Sequence, residues 1–251
     1  MNIVVYSHYF SPEIGASPGR IKEMAVNWIE MGNSVQVFTC FPNHPAGIIY
    51  SGYATGRLYQ NEYIDNIKVH RNITFITPNK GIIKKTFGHL TLLITAFVNS
   101  VIKLKSADII IGTSPTFFAV MAGLFIARIK KKPFVMEVRD LWPGCFVELG
   151  VVKNKYLIKI LELWELSLYK NADHIITVTE SFKLDLIKRN VNQKKITTIY
   201  NGADLSFWND DSTVNDKLKS PDFIVLYVGA HGISQALTTI LDVASELGSY
   251  I

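Results

Sequence analysis

The chain is poor in cysteine. Its two thiols, Cys40 and Cys145, lie far apart, with no CxxC pair and no Cys/His cluster at zinc-ligand spacing. That excludes a disulfide framework and a zinc-ribbon type of site, and predicts free thiols in a reducing cytosol. A basic leader segment is missing as well. The sequence opens MNIVVYSHYF, whose immediate β-branched run reads as a first strand rather than a signal peptide. No stretch reaches about 18 apolar residues without polar interruption, which argues against a spanning helix. The first turn, SHYFSPEIGASPGR, has neither the GxGxxG of a dinucleotide fold nor the GxxxxGK[ST] of a phosphate loop. A nicotinamide-dependent oxidoreductase and a P-loop NTPase are both disfavoured.

Acidic residues are nearly absent from one segment. Residues 80–132 carry nine Lys/Arg and one acid, Asp108, whereas residues 1–79 carry five of each sign. The net charge of +5 therefore comes from this one segment, since the remainder is slightly acidic. Such asymmetry fits an anionic partner or, equally, an ordinary lysine-rich surface.

What is present is ample apolar material, 48% of 251 residues, enough for a large core. Short apolar runs at 2–10, 34–40, 67–72, 107–114, 133–140, 172–179 and 196–202 read as strands. Helical patterns near 18–31, 83–105, 115–130, 153–170 and 180–190 lie between them. Several strands are apolar nearly throughout, as in sheets covered on both faces. Alternating β and α implies an α/β fold with a doubly wound parallel sheet. Ser17-Pro18 reads as an N-cap followed by Pro at the first helical position. Gly32-Asn33 reads as a helix stop, and Thr179 as a cap. Residues 205–222 are polar and turn-rich, a linker. Residues 223–251 then start a new strand–turn–helix unit, which either docks on the first domain or frays.

Ligands of such sheets bind beyond the carboxyl ends of the strands. In the first turn, Gly15 lets backbone approach a ligand, and Arg20 lies near a helix N-terminus that favours anions; the plainer reading is a turn glycine and a surface charge. Arg139, Asp140 and Trp142 follow the fifth strand. Asp140 can accept a proton or a hydroxyl hydrogen bond, and Trp142 can stack on a sugar ring. Alternatively, Arg139–Asp140 is a structural ion pair and Trp142 packs. Of six scattered histidines, His44 in FPNHPAG is the better ligand candidate, and His174 reads as a core residue. No Ser–His–Asp order emerges. The helix 89–105 has one narrow polar stripe, Thr91, Thr95, Asn99 and Lys103, and is otherwise largely apolar. With Lys80, Lys84 and Lys85 before it, Lys103 and Lys105 at its end and Phe97 on its apolar arc, it suits an anionic bilayer surface, or burial under a neighbouring helix.

The segments YFSPEIGASPGRIKEMA, FPNHPAGIIYSGY, EVRDLWP, ITVTESF and IYNGADLSFW occur in this order. Together they resemble family-four glycosyltransferases of GT-B fold, in particular bacterial sugar transferases of capsule, colanic-acid and O-antigen synthesis, fucosamine-transferase-like members among them. The resemblance covers the whole chain. It implies a Rossmann-like acceptor-binding domain at 1–204, a linker at 205–222, and at 223–251 the first βα unit of an incomplete donor-binding domain. It further implies retaining, metal-independent transfer with no cofactor, the nucleotide sugar being a substrate. Gly15, Arg20, Gly229 and Gly232 would lie by the donor diphosphate, His44 and Trp142 by the acceptor, and Arg139 and Asp140 at the reacting centre. The implied partners are a nucleotide-sugar donor, a lipid-diphosphate-linked acceptor and an anionic membrane, not nucleic acid. The implied place is peripheral, on the cytoplasmic face of the plasma membrane. Two features depart from the family. Arg139-Asp140 stands where many relatives have a histidine, and the paired glutamates E-x7-E of the donor domain are absent. The isolated chain is therefore expected to have little transferase activity. A non-catalytic remnant or binding module, and a GT-B-type sugar-nucleotide epimerase, are the alternatives.

Overall fold

The computed structural model describes residues 1–53, 56–77, 82–150, 152–202, 224–229, 231–232 and 235–247. The predicted linker at 205–222 and Lys80 lie outside them. Eight strands form one sheet: β1 (Asn2–Tyr6), β2 (Ser34–Cys40), β3 (Tyr59–Ile64), β4 (Ile67–Asn72), β5 (Ile109–Thr113), β6 (Phe134–Val138), β7 (His174–Thr177) and β8 (Ile196–Thr198). Their order is β3-β4-β2-β1-β5-β6-β7-β8. Seven strands are parallel; Val5 of β1, for example, is flanked by Val37 of β2 and Ile111 of β5. The order reverses at β1, so the switch point opens beyond the carboxyl ends of β1 and β5.

The helices are α1 (Ala16–Glu30), α2 (Ile82–Lys103), α3 (Phe117–Lys130), α4 (Gly144–Glu148), α5 (Lys155–Asn171), α6 (Glu180–Lys188) and α7 (Thr238–Leu247). Alternation along β1 divides the core. Val4 and Tyr6 pack with α2, α3, α5 and α6, whereas Ile3 and Val5 pack with α1 through Ile21 and Ala25. Gly32, at φ 81°, ends α1 in a left-handed turn in which the Asn33 amide reaches back to the Trp28 carbonyl. The Thr179 hydroxyl caps α6 by accepting from the Phe182 amide.

Three expectations are corrected. β3 is an unpredicted antiparallel strand, because YQNEYI is too polar to read as a buried run; among the described residues it is the sheet's edge and pairs only with β4. Its two-residue turn, Asp65-Asn66, has positive φ at both positions, the hairpin geometry that matches strand twist. α1 starts earlier than Ser17-Pro18 implied, with Gly15 as N-cap and no side-chain cap. Finally, 224–228 forms no strand and is exposed, and α7 buries none of its residues. A lone strand gains little without neighbours to complete its ladder.

A close approach fixes where α2 lies. A Cβ added at Gly88 would stand 2.6 Å from the Phe75 carbonyl oxygen. Gly88→Ala is therefore expected to destabilise the fold by about 1–3 kcal/mol through overpacking. Urea unfolding checks this; an unchanged midpoint would contradict the tight contact.

Candidate functional site

At the switch point the loop after β1 leads into α1. Gly15 there has φ 150° and ψ 169°, a region that side chains rarely enter. It lets the chain turn directly into a helix whose first amides face the strand ends. Arg20, one turn on, does not project freely. Its Nε and Nη2 donate to Glu137 Oε1 at 3.0 and 2.7 Å, and Nη1 donates to Asn201 Oδ1. The Glu137 side chain is only 3% exposed, and its other oxygen accepts from the Thr113 hydroxyl at 2.8 Å. A buried carboxylate on β6 thus orients an arginine, and among the described residues part of its N–H fork stays open.

Arg139 and Asp140 follow directly. Arg139 Nη1 donates to Ser17 Oγ at 2.9 Å, and its amide donates to Ser114 Oγ at 2.8 Å. Burial lowers the Arg139 guanidinium from its ordinary value and raises the Asp140 carboxyl, against the pull of Arg139 on the latter. Asp140 is exposed at the rim, and no hydrogen bond to its carboxylate is found among the described residues. Trp142 is half-buried and stacks on Phe117 at 4.8 Å between centroids, so one face is committed to packing.

His44 lies in a second group. Its amide and that of Asn43 donate to Glu13 Oε1 at 2.9 and 2.8 Å, while the Phe10 amide donates to Glu13 Oε2 at 3.1 Å. Glu13 is buried, which raises its carboxyl despite these three amides. The His44 ring lies 4.9 Å from Tyr9, and Tyr9 adjoins His8. His8 and His89 of α2 meet Nδ1 to Nδ1 at 3.1 Å. Burial, then His89 and His44, depress His8 well below the ordinary histidine range; burial and Lys85 bring His89 down to about 4.

The structure therefore brings Gly15, Arg20, Arg139 and Asp140 together, with Trp142 beside them. Gly229 and Gly232 are exposed, and among the described residues neither hydrogen-bonds to this cluster. His174 is half-buried rather than core, its Nε2 2.9 Å from the Thr197 hydroxyl. Sequence reasoning missed Glu137, Thr113 and Ser114, and it marked Ser17 as a cap and Asn201 within IYNGADLSFW without their pairing to the arginines. Glu137 had a signal, as the one acid inside the apolar run FVMEV.

The α2 surface is inverted relative to ordinary amphipathic helices. Its polar stripe faces inward: Thr91 accepts from the Phe75 amide, Thr95 donates to the Ile73 carbonyl, and Asn99 donates to Asn72. The outward arc is apolar, with Phe87, Leu90, Ile94, Val98, Val101 and Ile102 exposed. By length and composition alone, Lys84–Lys103 is apolar enough to cross a bilayer, but here Leu92 and Ala96 bury one side in the core. Two of the residues expected at a membrane are less open than the others. Phe97 is half-buried, edge-on to Phe125, and the Lys103 ammonium lies over the Tyr59 ring at 5.0 Å. Lys84, Lys85 and Lys105 are exposed.

The chain as a whole is similar to known proteins. A colanic acid biosynthesis glycosyl transferase, WcaI of Escherichia coli (strain K12), is 22% identical over 259 residues, covering 98% of this chain and 63% of its own length. A sucrose-phosphate synthase from Thermosynechococcus elongatus has the same fold, with TM-score 0.57 at 15% identity over 82% of this chain and 49% of its own. The catalytic domain of starch synthase IV from Arabidopsis thaliana, bound there to ADP and acarbose, gives 0.54 at 13% identity over 83% of this chain and 52% of its own. The chain thus spans less than two thirds of the curated relative and about half of each solved structure. The family model for Glycosyltransferase Family 4 matches residues 20–207, well over half of the sequence, and the chain belongs to that family.

Proposed function

We propose that the chain is the acceptor-binding half of a retaining, metal-independent glycosyltransferase. The enzyme would move a sugar from a nucleotide-sugar donor to a lipid-diphosphate-linked saccharide, with no cofactor. The setting would be surface-polysaccharide synthesis (capsule, colanic acid or O-antigen) at the cytoplasmic face of the plasma membrane. The observation that carries the reading is the cluster at the switch point. Amides of the α1 N-terminus, the open part of the Arg20 fork and the Arg139 guanidinium converge beside Asp140. Positive charge and helix amides suit a diphosphate. A carboxylate with no hydrogen-bond partner among the described residues suits the acceptor hydroxyl, whose attack passes through an oxocarbenium-like transition state. The outward apolar arc of α2, with Lys84, Lys85 and Lys105, would hold the domain at the bilayer that carries the acceptor.

Calorimetric titration with a polyprenyl-diphosphate-linked sugar tests this. The chain is expected to bind it, and Asp140→Asn to weaken binding about tenfold, one lost charge-assisted hydrogen bond, with the unfolding midpoint unchanged. Absence of acceptor binding would overturn the reading. Robust turnover of nucleotide sugars by these 251 residues alone would overturn its restriction to the acceptor half.

A further inference from the structure

Helix α5 is apolar on two adjoining sides. One side enters the core through Leu168 and Tyr169. The other exposes Tyr156, Leu157, Ile160, Leu163 and Trp164, spaced as one helical stripe, with Tyr156 84% and Trp164 49% exposed. A helix that only covers a sheet needs one apolar face. α3 lies between α5 and α2 and packs on both; it exposes Phe125 and Ile129. Ring contacts connect the three helices: Phe97 of α2 with Phe125, and Phe117 of α3 with Trp164, both at 6.4 Å. The exposed apolar rows therefore belong to one surface on one side of the sheet.

Charge indicates what covers it. Exposed Lys153, Lys155 and Lys159 flank the α5 stripe, Arg128 and Lys131 close α3, and Lys84 and Lys85 begin α2. Exposed acids here are fewer, Glu148, Glu162 and Asp173, the last paired with Arg128 at 3.5 Å. Apolar rows with aromatic ends and a basic border match the headgroup level of an anionic bilayer.

We propose that α5, with α3, forms the second half of a bilayer-seating surface, inserting Tyr156, Leu157, Ile160 and Trp164 beside the α2 arc. This rests on the membrane reading of α2 and extends it to a helix that leads into the site. Trp164 stacks on Phe117, which stacks on Trp142, two residues from Asp140. Seating on both helices holds the rim of the site at the membrane surface, within reach of an acceptor whose lipid stays embedded.

Co-sedimentation of the chain with phosphatidylcholine vesicles, with and without phosphatidylglycerol, tests this. The chain is expected to bind the anionic vesicles. Ile160→Glu and Trp164→Glu are each expected to reduce binding at least about tenfold, the equivalent of one large apolar side chain no longer leaving water. Ile94→Glu on α2 should do the same. Replacing Lys153, Lys155 and Lys159 with alanine should reduce binding to anionic vesicles only, increasingly so at low salt. Bromine-labelled lipids should quench the tryptophan emission, and Trp164→Phe should remove most of that quenching. If Ile94→Glu releases the chain while the α5 variants bind fully, this inference fails and the α2 reading stands. If the chain ignores all vesicles and self-associates through a contact that Trp164→Glu breaks, both fail. Circular dichroism of each variant controls for folding.

Discussion

Lowering the pH from 7 to 5 is expected to weaken the fold by about 2 kcal/mol for each of His89 and His70, which are held neutral inside it. His89 and His70 are brought down to about 4, both mainly by burial, helped by Lys85 at His89 and by Lys68 and Lys103 at His70. His8 is also held well below the ordinary histidine range, with His89 and His44 adding to burial. In the unfolded chain each titrates near 6.5. Between about 4 and 6.5 the unfolded state therefore binds more protons than the native state. The stability these histidines allow is complete above about 6.5 and lost as the pH falls toward 4. Glu13, Glu165 and Asp140 act in the opposite sense. Their raised carboxyls bind protons earlier in the native state and offset part of the loss just above the ordinary carboxylate range. His8 and His89 share one 3.1 Å contact, so a second proton there would place like charges together. Urea unfolding at pH 7, 6 and 5 should show the midpoint falling, and His89→Gln should flatten the profile by about one proton. A flat wild-type profile would contradict the burial of these rings.

Much of the fold was legible because parallel strands covered on both faces leave continuous apolar runs. β2 and β4 begin and end at the predicted residues. β1 and β7 stop short of their apolar runs, at Tyr6 and Thr177, where pairing with their neighbours ends. β3 was invisible because an edge strand needs no apolar face; its signal was the Asp65-Asn66 turn, which takes meaning only from the pairing it makes. The polar stripe of α2 was legible as a stripe but not in direction. Periodicity marks two faces and cannot say which is inside. Here the carbonyl of Ile73, the amide of Phe75 and the side chain of Asn72 needed partners, and Thr91, Thr95 and Asn99 supplied them.

The candidate site was legible in its loops and not in its supports. Gly15, Arg20, Arg139 and Asp140 follow strand ends, where local sequence already suggests a binding function. What orients them comes from elsewhere in the chain: Glu137 lies 117 positions from Arg20, and Ser17 lies 122 from Arg139. Such pairings are set by strand order, so no spacing rule finds them. The same holds for Arg71, which lies inside a predicted strand with nothing local to mark it.

Arg71→Met is expected to cost about 3 kcal/mol and to loosen the loops that carry the site. Arg71 is fully buried, its side chain 0% exposed. Nε donates to Glu62 Oε1 at 2.6 Å, Nη1 to the Cys40 carbonyl at 3.3 Å, and Nη2 to the Ser11 carbonyl. The guanidinium also lies over Tyr53 and Phe10, 5.4 and 6.0 Å from the ring centroids. Methionine fills most of the volume but returns none of the donors. Breaking a buried pair by removing one partner costs about 3–5 kcal/mol. The lower end applies because Glu62 keeps 21% of its side chain exposed and still accepts from the Tyr53 hydroxyl. The two carbonyls matter more for the site. Ser11 belongs to the loop ahead of Gly15, and Cys40 leads into the turn that carries Asn43 and His44, so one side chain ties both loops to β4. Arg71→Lys restores a charge and not the fork, and should recover less than half of the loss. Urea unfolding measures the stability change, and hydrogen exchange measures the local one. Amides of residues 10–15 and 41–47 should lose more protection than those of β7 and α6, at the far side of the sheet. Uniform loss across the chain would make Arg71 a general core residue. Unchanged stability would mean that Glu62 and the two carbonyls are satisfied without it.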